Sequence, residues 1–314
     1  MISSITSPPK PGTEMGLGLG YAVVSTASFS LSGPLAHGLM AAGWSSAAAT
    51  VVRVLTAGLV LLPIALVQLR GRWNLLRRNA RLLTHYGLFA VAGVQLTYFN
   101  AVSHMEVAVA LLIQNTAPIA VTGWLWSRHR QRPPGMTVVG AALGLAGLPL
   151  VVGLHSEAGI GWVGIGWALA SMLGGVAFVL LSSRTDTALP GTVLATSGLL
   201  IGGLILLAAG IVGIVPLRAT ANSIAFQDFT VPWWPPALVL GTVTAALAYV
   251  SGIAATRLLG PRLAAFAALL EVLTGLVFAW YLLGETPRPI QLLGGLLILI
   301  GVVIVRRGET LRVA

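Results

Sequence analysis

The sequence predicts an all-α integral membrane protein whose ten transmembrane helices form two inverted five-helix repeats. Three observations lead to this fold class: the composition, the length of the apolar runs, and the distribution of arginine along the chain. The chain has 314 residues, of which 56% are hydrophobic and only 8% are charged, whereas soluble domains carry about 25% charged residues. Since so little polar surface cannot cover a globule in water, the chain is expected to lie in a membrane.

Ten apolar stretches are long enough, or nearly long enough, to cross a bilayer. A spanning helix needs about 20 mostly apolar residues, because the hydrocarbon layer is about 30 Å thick. The stretches also lack the polar-in, apolar-out alternation of a membrane barrel, so helices are expected. The predicted spans, numbered 1 to 10 in chain order, are 16–39, 45–69, 84–103, 107–127, 136–154, 160–182, 191–215, 233–256, 261–283 and 288–305.

The basic residues fall in short clusters between these stretches and indicate the orientation of the chain. If the N-terminal tail is cytoplasmic, every basic residue faces the cytoplasm except Arg218 and Arg288, which fall outside, and Arg53, which lies within a span. This skew is what the positive-inside rule predicts. Both tails, 1–15 and 306–314, are therefore expected in the cytoplasm. The first tail carries no signal-peptide pattern, so span 1 is expected to be retained.

The composition also excludes several kinds of site. The chain has no cysteine, and its five histidines show no metal-ligand spacing, so we expect neither a metal nor another cofactor. A net charge of +10 would suit nucleic-acid binding if the basic residues formed one surface. Because the clusters border membrane spans instead, the expected macromolecular environment is membrane lipid, with no nucleic-acid partner. The sequence leaves monomer and homodimer open.

An internal repeat relates the two halves of the chain. One gapless shift aligns 101–147 with 255–301 and places Ala110, Trp126 and Gly140 on identical residues. The shift carries span 4 onto span 9 and span 5 onto span 10, so the repeating unit has five spans. An odd number of spans, repeated once, must be inverted in the membrane, and inverted halves usually bind substrate at their interface. The predicted domains are 16–154 and 160–305.

The last part of the chain resembles the closing signature of the EamA family in the drug/metabolite transporter superfamily. It reads LEVLTGLVFAWYLLGETPRPIQLLGGLLILIGVVIVRR from Leu270 to Arg307. The matching residues in both halves are Arg53, Ala101, Thr116, Ala117, Pro118, Glu271, Gly284, Glu285, Gly294 and Gly301. The sequence departs from the family pattern at Val272, where a proline is usual, and at Arg130 and Gln131, which occupy the first-half position of Gly284 and Glu285.

The resemblance implies two inverted five-helix halves that work by alternating access. It also implies a small-molecule substrate and, as in many bacterial members, export of amino acids or related metabolites. A membrane-embedded enzyme and a passive metabolite channel are the alternatives. The enzyme is disfavoured because the sequence has no paired intramembrane aspartate and no HExxH or GxSxG motif. The glycine-rich stretch 159–166 follows no strand and lacks a GK[ST] ending, so no nucleotide site is expected.

Polar and aromatic side chains at mid-span depth are predicted to line the substrate pathway, because a hydrated solute needs partners there. Each of them alone is more often a helix-to-helix contact than a ligand contact, so together they define a zone. The candidates are Ser25, Phe29, Gln95, Tyr98, Gln114, Asn115, Ser171, Phe178, Thr244, Tyr249, Glu271 and Thr274.

Two charged residues lie within predicted spans. Glu271, near the middle of span 9, is costly there unless it takes up a proton, pairs or faces water. It is therefore a candidate for proton coupling, although the resemblance makes it general across varied substrates and so favours a structural role. Arg53 lies in the outer half of span 2, where reaching the headgroups or bonding another helix is at least as well supported as binding substrate. It is also a candidate for a coupling or structural charge. An ion pair between the two is left open.

Small residues and prolines complete the predictions. Gly16 with Gly20, Gly140 with Gly144 and Gly198 with Gly202 are spaced four apart, which predicts close helix packing. Pro34 and Pro118 are expected to kink their helices. The longest outer loop, 215–232, is expected to lie across the mouth of a cavity.

Overall fold

The computed structural model describes residues 11–117, 135–152, 161–184, 187–267 and 269–310, and these residues form a helical bundle. The first half comprises α1 (Pro11–Ser30), α2 (Ser32–Ala41), α3 (Ser46–Leu69), α4 (Asn74–Arg78), α5 (Ala80–His85), the π-helical segment π1 (Tyr86–Gly93), α6 (Val94–Val102), α7 (Val107–Gln114) and α8 (Gly135–Val152). The second half comprises α9 (Trp162–Ser182), α10 (Gly191–Ile211), strands β1 (Ile224–Ala225) and β2 (Thr230–Val231), α11 (Trp234–Gly241), π2 (Thr242–Leu247), α12 (Ala248–Ala267), α13 (Leu269–Leu283) and α14 (Pro289–Thr310).

Several of these helices can cross a membrane. Within the described residues, the stretches long and apolar enough to span are Met15–Ala41, Ser46–Leu69, Trp162–Ser182, Gly191–Ile211 and Trp234–Leu259. Leu270–Leu283 and Pro289–Gly301 are apolar but shorter. Large apolar side chains such as Leu173 and Leu204 point outward from these helices, where lipid would cover them. The chain is therefore a multi-pass α-helical membrane protein, and the count of ten spans stays a prediction.

The boundary between predicted spans 8 and 9 is wrong. A loop was expected at 257–260, but α12 continues to Ala267 and α13 begins at Leu269. Arg257, which indicated the loop, is accommodated on the helix because its guanidinium donates to the Leu189 carbonyl oxygen at 2.9 Å. Glu271 lies near the N-terminal end of α13 as the structure describes it, Leu269–Leu283.

The connections gather at two ends of the bundle. At one end, which we call the hairpin end, the Ser45 amide donates to the Arg218 carbonyl at 2.9 Å and the Gln227 amide donates to the Leu282 carbonyl at 2.9 Å. The antiparallel strands β1 and β2 lie here. At the other end, which we call the arginine end, the cluster 70–81 meets the segment after α9, where Asn79 donates to the Thr187 carbonyl at 3.3 Å.

The two C-terminal helices of the repeats, α8 and α14, pack against each other through glycine. A β-carbon at Gly147 would lie 2.5 Å from the Gly294 carbonyl oxygen, and one at Gly301 would lie 2.5 Å from the Gly140 carbonyl oxygen. Residue numbers rise along one helix as they fall along the other, so the helices are antiparallel. The internal repeat carries Gly140 onto Gly294 and Gly147 onto Gly301, so it converts each contact into the other.

The predicted glycine contacts are only partly correct. Gly202 lies against the backbone of π1, since a β-carbon there would lie 2.7 Å from the Gly87 carbonyl oxygen. Gly140 and Gly144 pack against Gly301. A β-carbon at Gly16 or Gly20 would have no described neighbour within 4 Å, and both residues are exposed. The prediction of close packing is therefore wrong for this pair among the described residues.

Candidate functional site

A cavity of about 130 Å³ lies between helices of the two halves. The first half contributes wall residues from α1, π1, α6 and α7, and the second half contributes them from α9, α12 and α13. Most of the residues predicted to line a pathway are in this wall. They are Ser25, Phe29, Gln95, Tyr98, Gln114, Asn115, Phe178, Tyr249 and Glu271.

Three predicted residues lie outside the wall and make helix contacts instead. The Ser171 hydroxyl donates to the Gln114 side-chain oxygen and so orients a wall residue. The Thr244 hydroxyl donates to the Leu240 carbonyl at 2.7 Å, and the Thr274 hydroxyl donates to the Leu270 carbonyl at 2.8 Å. Both of these bonds satisfy a polar side chain within its own helix.

Arg53 is fully buried behind the cavity wall. Its two terminal nitrogens donate to the Gln95 side-chain oxygen and to the Thr244 carbonyl oxygen. Its Cζ atom lies 5.4 Å from the centroid of the Phe99 ring and 5.9 Å from that of Phe29, within the range of cation–π attraction. Of the alternatives for Arg53, the bond to another helix is present, and full burial excludes contact with the headgroups.

A hydrogen-bond chain continues from Arg53 across the boundary between the halves. The Gln95 amide donates to the Tyr249 hydroxyl at 3.0 Å, and these residues are 154 positions apart, which is the spacing of the internal repeat. The Tyr249 hydroxyl in turn donates to the Ala90 carbonyl at 3.0 Å. Equivalent positions of the two halves thus meet in one hydrogen bond beside the cavity.

The π-helical segments explain why backbone oxygens are available to this chain of bonds. Ala90 lies in π1 and Thr244 lies in π2, and the same repeat spacing relates them. A π-helical turn disturbs the regular backbone ladder and is often found at functional sites. Here the Ala90 carbonyl of π1 accepts from the Tyr249 hydroxyl, and the Thr244 carbonyl of π2 accepts from the Arg53 guanidinium.

Three aromatic rings form one side of the cavity. Phe29 and Phe178 have centroids 6.0 Å apart at 83°, Phe29 and Tyr249 are 5.1 Å apart at 72°, and Phe178 and Tyr249 are 5.5 Å apart at 87°. These are edge-to-face arrangements, which aromatic pairs prefer. We call Phe29, Phe178 and Tyr249 the aromatic trio.

Two polar groups of the wall are unpaired within the described part of the chain. The Tyr98 hydroxyl is buried and has no hydrogen-bond partner there. The Glu271 carboxylate reaches the cavity and interacts electrostatically with Arg53, but the two form no direct ion pair among these residues. Neither group is used by another side chain among the described residues.

Comparison with known proteins identifies the family. The model of the EamA-like transporter family matches residues 16–153 and again 162–307. The chain belongs to the EamA-like transporter family. It is 24% identical over 266 residues to the uncharacterized inner membrane transporter YicL of Salmonella typhimurium, covering 83% of this chain and 85% of YicL. A solved crystal structure superposes with a TM-score of 0.60 at 19% identity, covering 93% of this chain and 95% of the other, which shows the shared fold.

The family and the relative indicate a membrane transporter. Some residues of the EamA pattern fall outside the described ranges, namely Pro118, Arg130 and Gln131. Arg53 and Glu271 lie at the cavity, as described above. Gly284 and Glu285 lie at the hairpin end and have a different local role.

In this EamA-like transporter, Gly284 and Glu285 join the two halves. Gly284 has φ +70°, a conformation that glycine adopts at helix ends without strain, and it ends α13. The next carboxylate, that of Glu285, accepts a hydrogen bond from the Val107 amide at 3.1 Å. A side chain of the second half thereby caps the first turn of α7, where the helix dipole favours negative charge.

Replacing Glu285 with Gln is expected to remove a pH dependence of stability. Burial, together with the neighbouring Glu106 carboxylate, raises the pKa of Glu285 from 4.5 to about 7. The folded state then holds a proton that the unfolded state has released, so stability falls as pH rises from about 4.5 to about 7 and levels off above. Thermal unfolding of both proteins between these limits should show a fall in the wild type that Glu285→Gln lacks.

Glu106→Gln is the matched control for this experiment. It removes the neighbouring negative charge and so should lower the pKa of Glu285 and shrink the fall without abolishing it. If the unfolding temperatures of the wild type and Glu285→Gln change equally with pH over this range, the role given to Glu285 is wrong.

Proposed function

We propose that the chain is a secondary transporter that exports small metabolites, amino acids among them, by alternating access between two inverted five-helix halves. The observation that carries this proposal is the cavity between the halves, beside the bond from Gln95 to Tyr249. Inverted-repeat transporters bind substrate at the interface of their repeats. The cavity lies between helices of both halves, and its wall includes polar groups that have no partner in the described ranges.

The contact of α8 with α14 supports the inverted arrangement. These helices occupy equivalent positions in the two repeats and run antiparallel, and the repeat exchanges their glycine contacts. Equivalent helices that run in opposite directions are what two inverted halves of five spans each would contain. Ten spans and two cytoplasmic termini follow if the arginine end faces the cytoplasm, as the positive-inside rule favours.

The distribution of packing along the bundle supports access from one side at a time. Wall residues extend towards the arginine end, where Thr256 precedes Arg257. At the hairpin end Ile224 is fully buried, and a β-carbon at Gly38 would lie 2.8 Å from it. With a cytoplasmic arginine end, this conformation would receive solute from the cytoplasm, which suits an exporter. The loop expected across a cavity mouth, 215–232, includes this packed hairpin.

Counterflow into proteoliposomes tests the proposal. Vesicles loaded with one unlabelled amino acid or small amine from a panel should accumulate the same labelled compound transiently, and the rate should saturate. A channel would give a rate that rises linearly with concentration, and an enzyme would change the solute chemically. If no compound of the panel shows counterflow with correctly folded protein, the proposal fails.

Orientation is checked in the same preparation. Because the chain has no cysteine, Asn74→Cys and Ala221→Cys each provide a single reactive site, one at the arginine end and one at the hairpin end. An impermeant thiol reagent applied to intact cells should label Ala221→Cys and spare Asn74→Cys. Labelling of both from the same face would contradict the topology on which export depends.

A further inference from the structure

We propose that the cavity selects solutes that carry a protonated amine, and that a carboxylate on the solute is not required. This inference rests on the proposed function and names the substrate class of the same site. It follows from the charge of the cavity wall, from the hydrogen-bonding capacity of that wall, and from the position of the aromatic trio.

The charge of the described wall is negative or neutral. Its residues include Glu271 but no lysine, arginine or histidine. Arg53 is the nearest candidate for binding an anion, yet it is fully buried, and its terminal nitrogens already donate to Gln95 and Thr244. Phe29 belongs to the wall and also lies against the guanidinium. A solute carboxylate would therefore meet no exposed cation in this part of the site.

The hydroxyl groups of the wall present acceptors to the cavity. Ser25 donates its single hydroxyl proton to the Ala248 carbonyl at 2.9 Å, Thr26 donates to the Ala22 carbonyl at 2.9 Å, and Thr256 donates to the Gly252 carbonyl at 2.7 Å. A hydroxyl that has donated its proton retains only lone pairs. These oxygens therefore match a solute that donates hydrogen bonds, as an ammonium group does.

Glu271 adds the charge that an ammonium group needs. Its carboxylate reaches the cavity and lacks a partner among the residues that the structure describes. An incoming ammonium would complete a charge-assisted hydrogen bond, which is about twice as strong as a neutral one.

The aromatic trio supplies the remaining contact. The rings of Phe29, Phe178 and Tyr249 form one side of the cavity, and aromatic faces attract cations. They also cover the apolar body of a small amine. The Tyr98 hydroxyl and the Gln114 amide can still donate, as can the Ser32 hydroxyl and the second amide hydrogen of Asn115, so a neutral acceptor on the solute has partners as well.

Four probes that differ only in their charged group test the inference. Isoamylamine is a cation, N-acetyl-isoamylamine is neutral, isocaproate is an anion, and leucine carries both charges. Binding to the detergent-solubilised full chain is measured by titration calorimetry at neutral pH. We expect isoamylamine to bind at least about tenfold more tightly than the neutral amide or the anion, and no more weakly than leucine.

Glu271→Gln gives the second measurement. It should weaken binding of isoamylamine by at least about tenfold and leave the neutral amide unchanged. Glu106→Gln makes the same chemical change at the hairpin end and should leave the affinity for isoamylamine unchanged. If Glu271→Gln fails to fold, the affinities of the wild-type protein for the four probes still test the inference.

Equal binding of isocaproate and isoamylamine, or no binding of isoamylamine, overturns the inference. The proposed function is judged separately by counterflow of the same probes. Counterflow of leucine without binding of isoamylamine would keep the transporter and discard the amine class. Binding of isoamylamine without counterflow of any probe would keep the amine site and discard the proposed transport.

Discussion

Replacing Arg53 with Lys is expected to destabilise the bundle by about 2–4 kcal/mol. The guanidinium is a planar fork whose two terminal nitrogens donate to Gln95 in one half and to Thr244 in the other. An ammonium is a single point and cannot reach both acceptors, so one buried oxygen loses its partner. Lysine also keeps the positive charge and therefore keeps the full cost of removing that charge from water.

Arg53→Met is expected to be the more stable of the two variants. Methionine leaves both acceptors unpaired, at about 1–3 kcal/mol each. It also removes a buried charge whose Nε lacks a partner in the described part of the chain, and the desolvation of such a charge costs several kcal/mol. The two effects largely offset each other, whereas in the lysine variant they add.

Thermal unfolding in detergent measures this order, and the nine tryptophans provide the fluorescence signal. The exposed Arg72, changed to Lys and to Met, serves as the control and should move stability by less than about 0.5 kcal/mol. A lysine variant as stable as the wild type would show that position 53 needs only a positive charge. In Arg53→Met counterflow should fall, since Gln95 loses the donor that holds it beside the cavity.

The positions of the wall residues could be predicted from the sequence because polar groups are rare in an apolar helix. Gln95, Asn115 and Tyr249 stand at mid-span depth among aliphatic residues, and a polar group there must find a partner or water. That requirement gathers such groups at a common interior cavity. The same reasoning wrongly includes Thr274, whose hydroxyl donates to its own helix. The position of a residue along a span does not show whether its side chain faces the cavity or bonds its own backbone.

The structure departs from the sequence predictions where the backbone itself departs from a regular α-helix. Neither π1 nor π2 has a composition that distinguishes it from its neighbours. The internal repeat was aligned only from residue 101; extended towards the N-terminus, it would have paired Gln95 with Tyr249. Arg257 indicated a loop after span 8, whereas α12 continues past it to Ala267. The sequence did not predict the short hairpin β1–β2 in the loop 215–232.

Substituting Gly301 with Ala is expected to destabilise the contact of α14 with α8. A β-carbon there would lie 2.5 Å from the Gly140 carbonyl oxygen and 2.6 Å from the Gly144 nitrogen. Both atoms are backbone atoms, so the helices must separate, and such overpacking costs about 1–3 kcal/mol. The gain from replacing glycine in a helix is only about 1 kcal/mol. The unfolding temperature in detergent should therefore fall.

Gly166→Ala separates the two effects, because Gly166 lies within α9 and has no other atoms within 4 Å. That variant should be as stable as the wild type or more so. Gly147→Ala, the equivalent change in the other repeat, should act like Gly301→Ala, since its β-carbon would lie 2.5 Å from the Gly294 carbonyl oxygen. Combining the two should cost less than the sum, because one separation of the helices relieves both clashes. Two results would mean that these glycines do not form one shared contact between the repeats. One is a fully additive loss of stability in the double variant, and the other is an equal unfolding temperature for Gly301→Ala and Gly166→Ala.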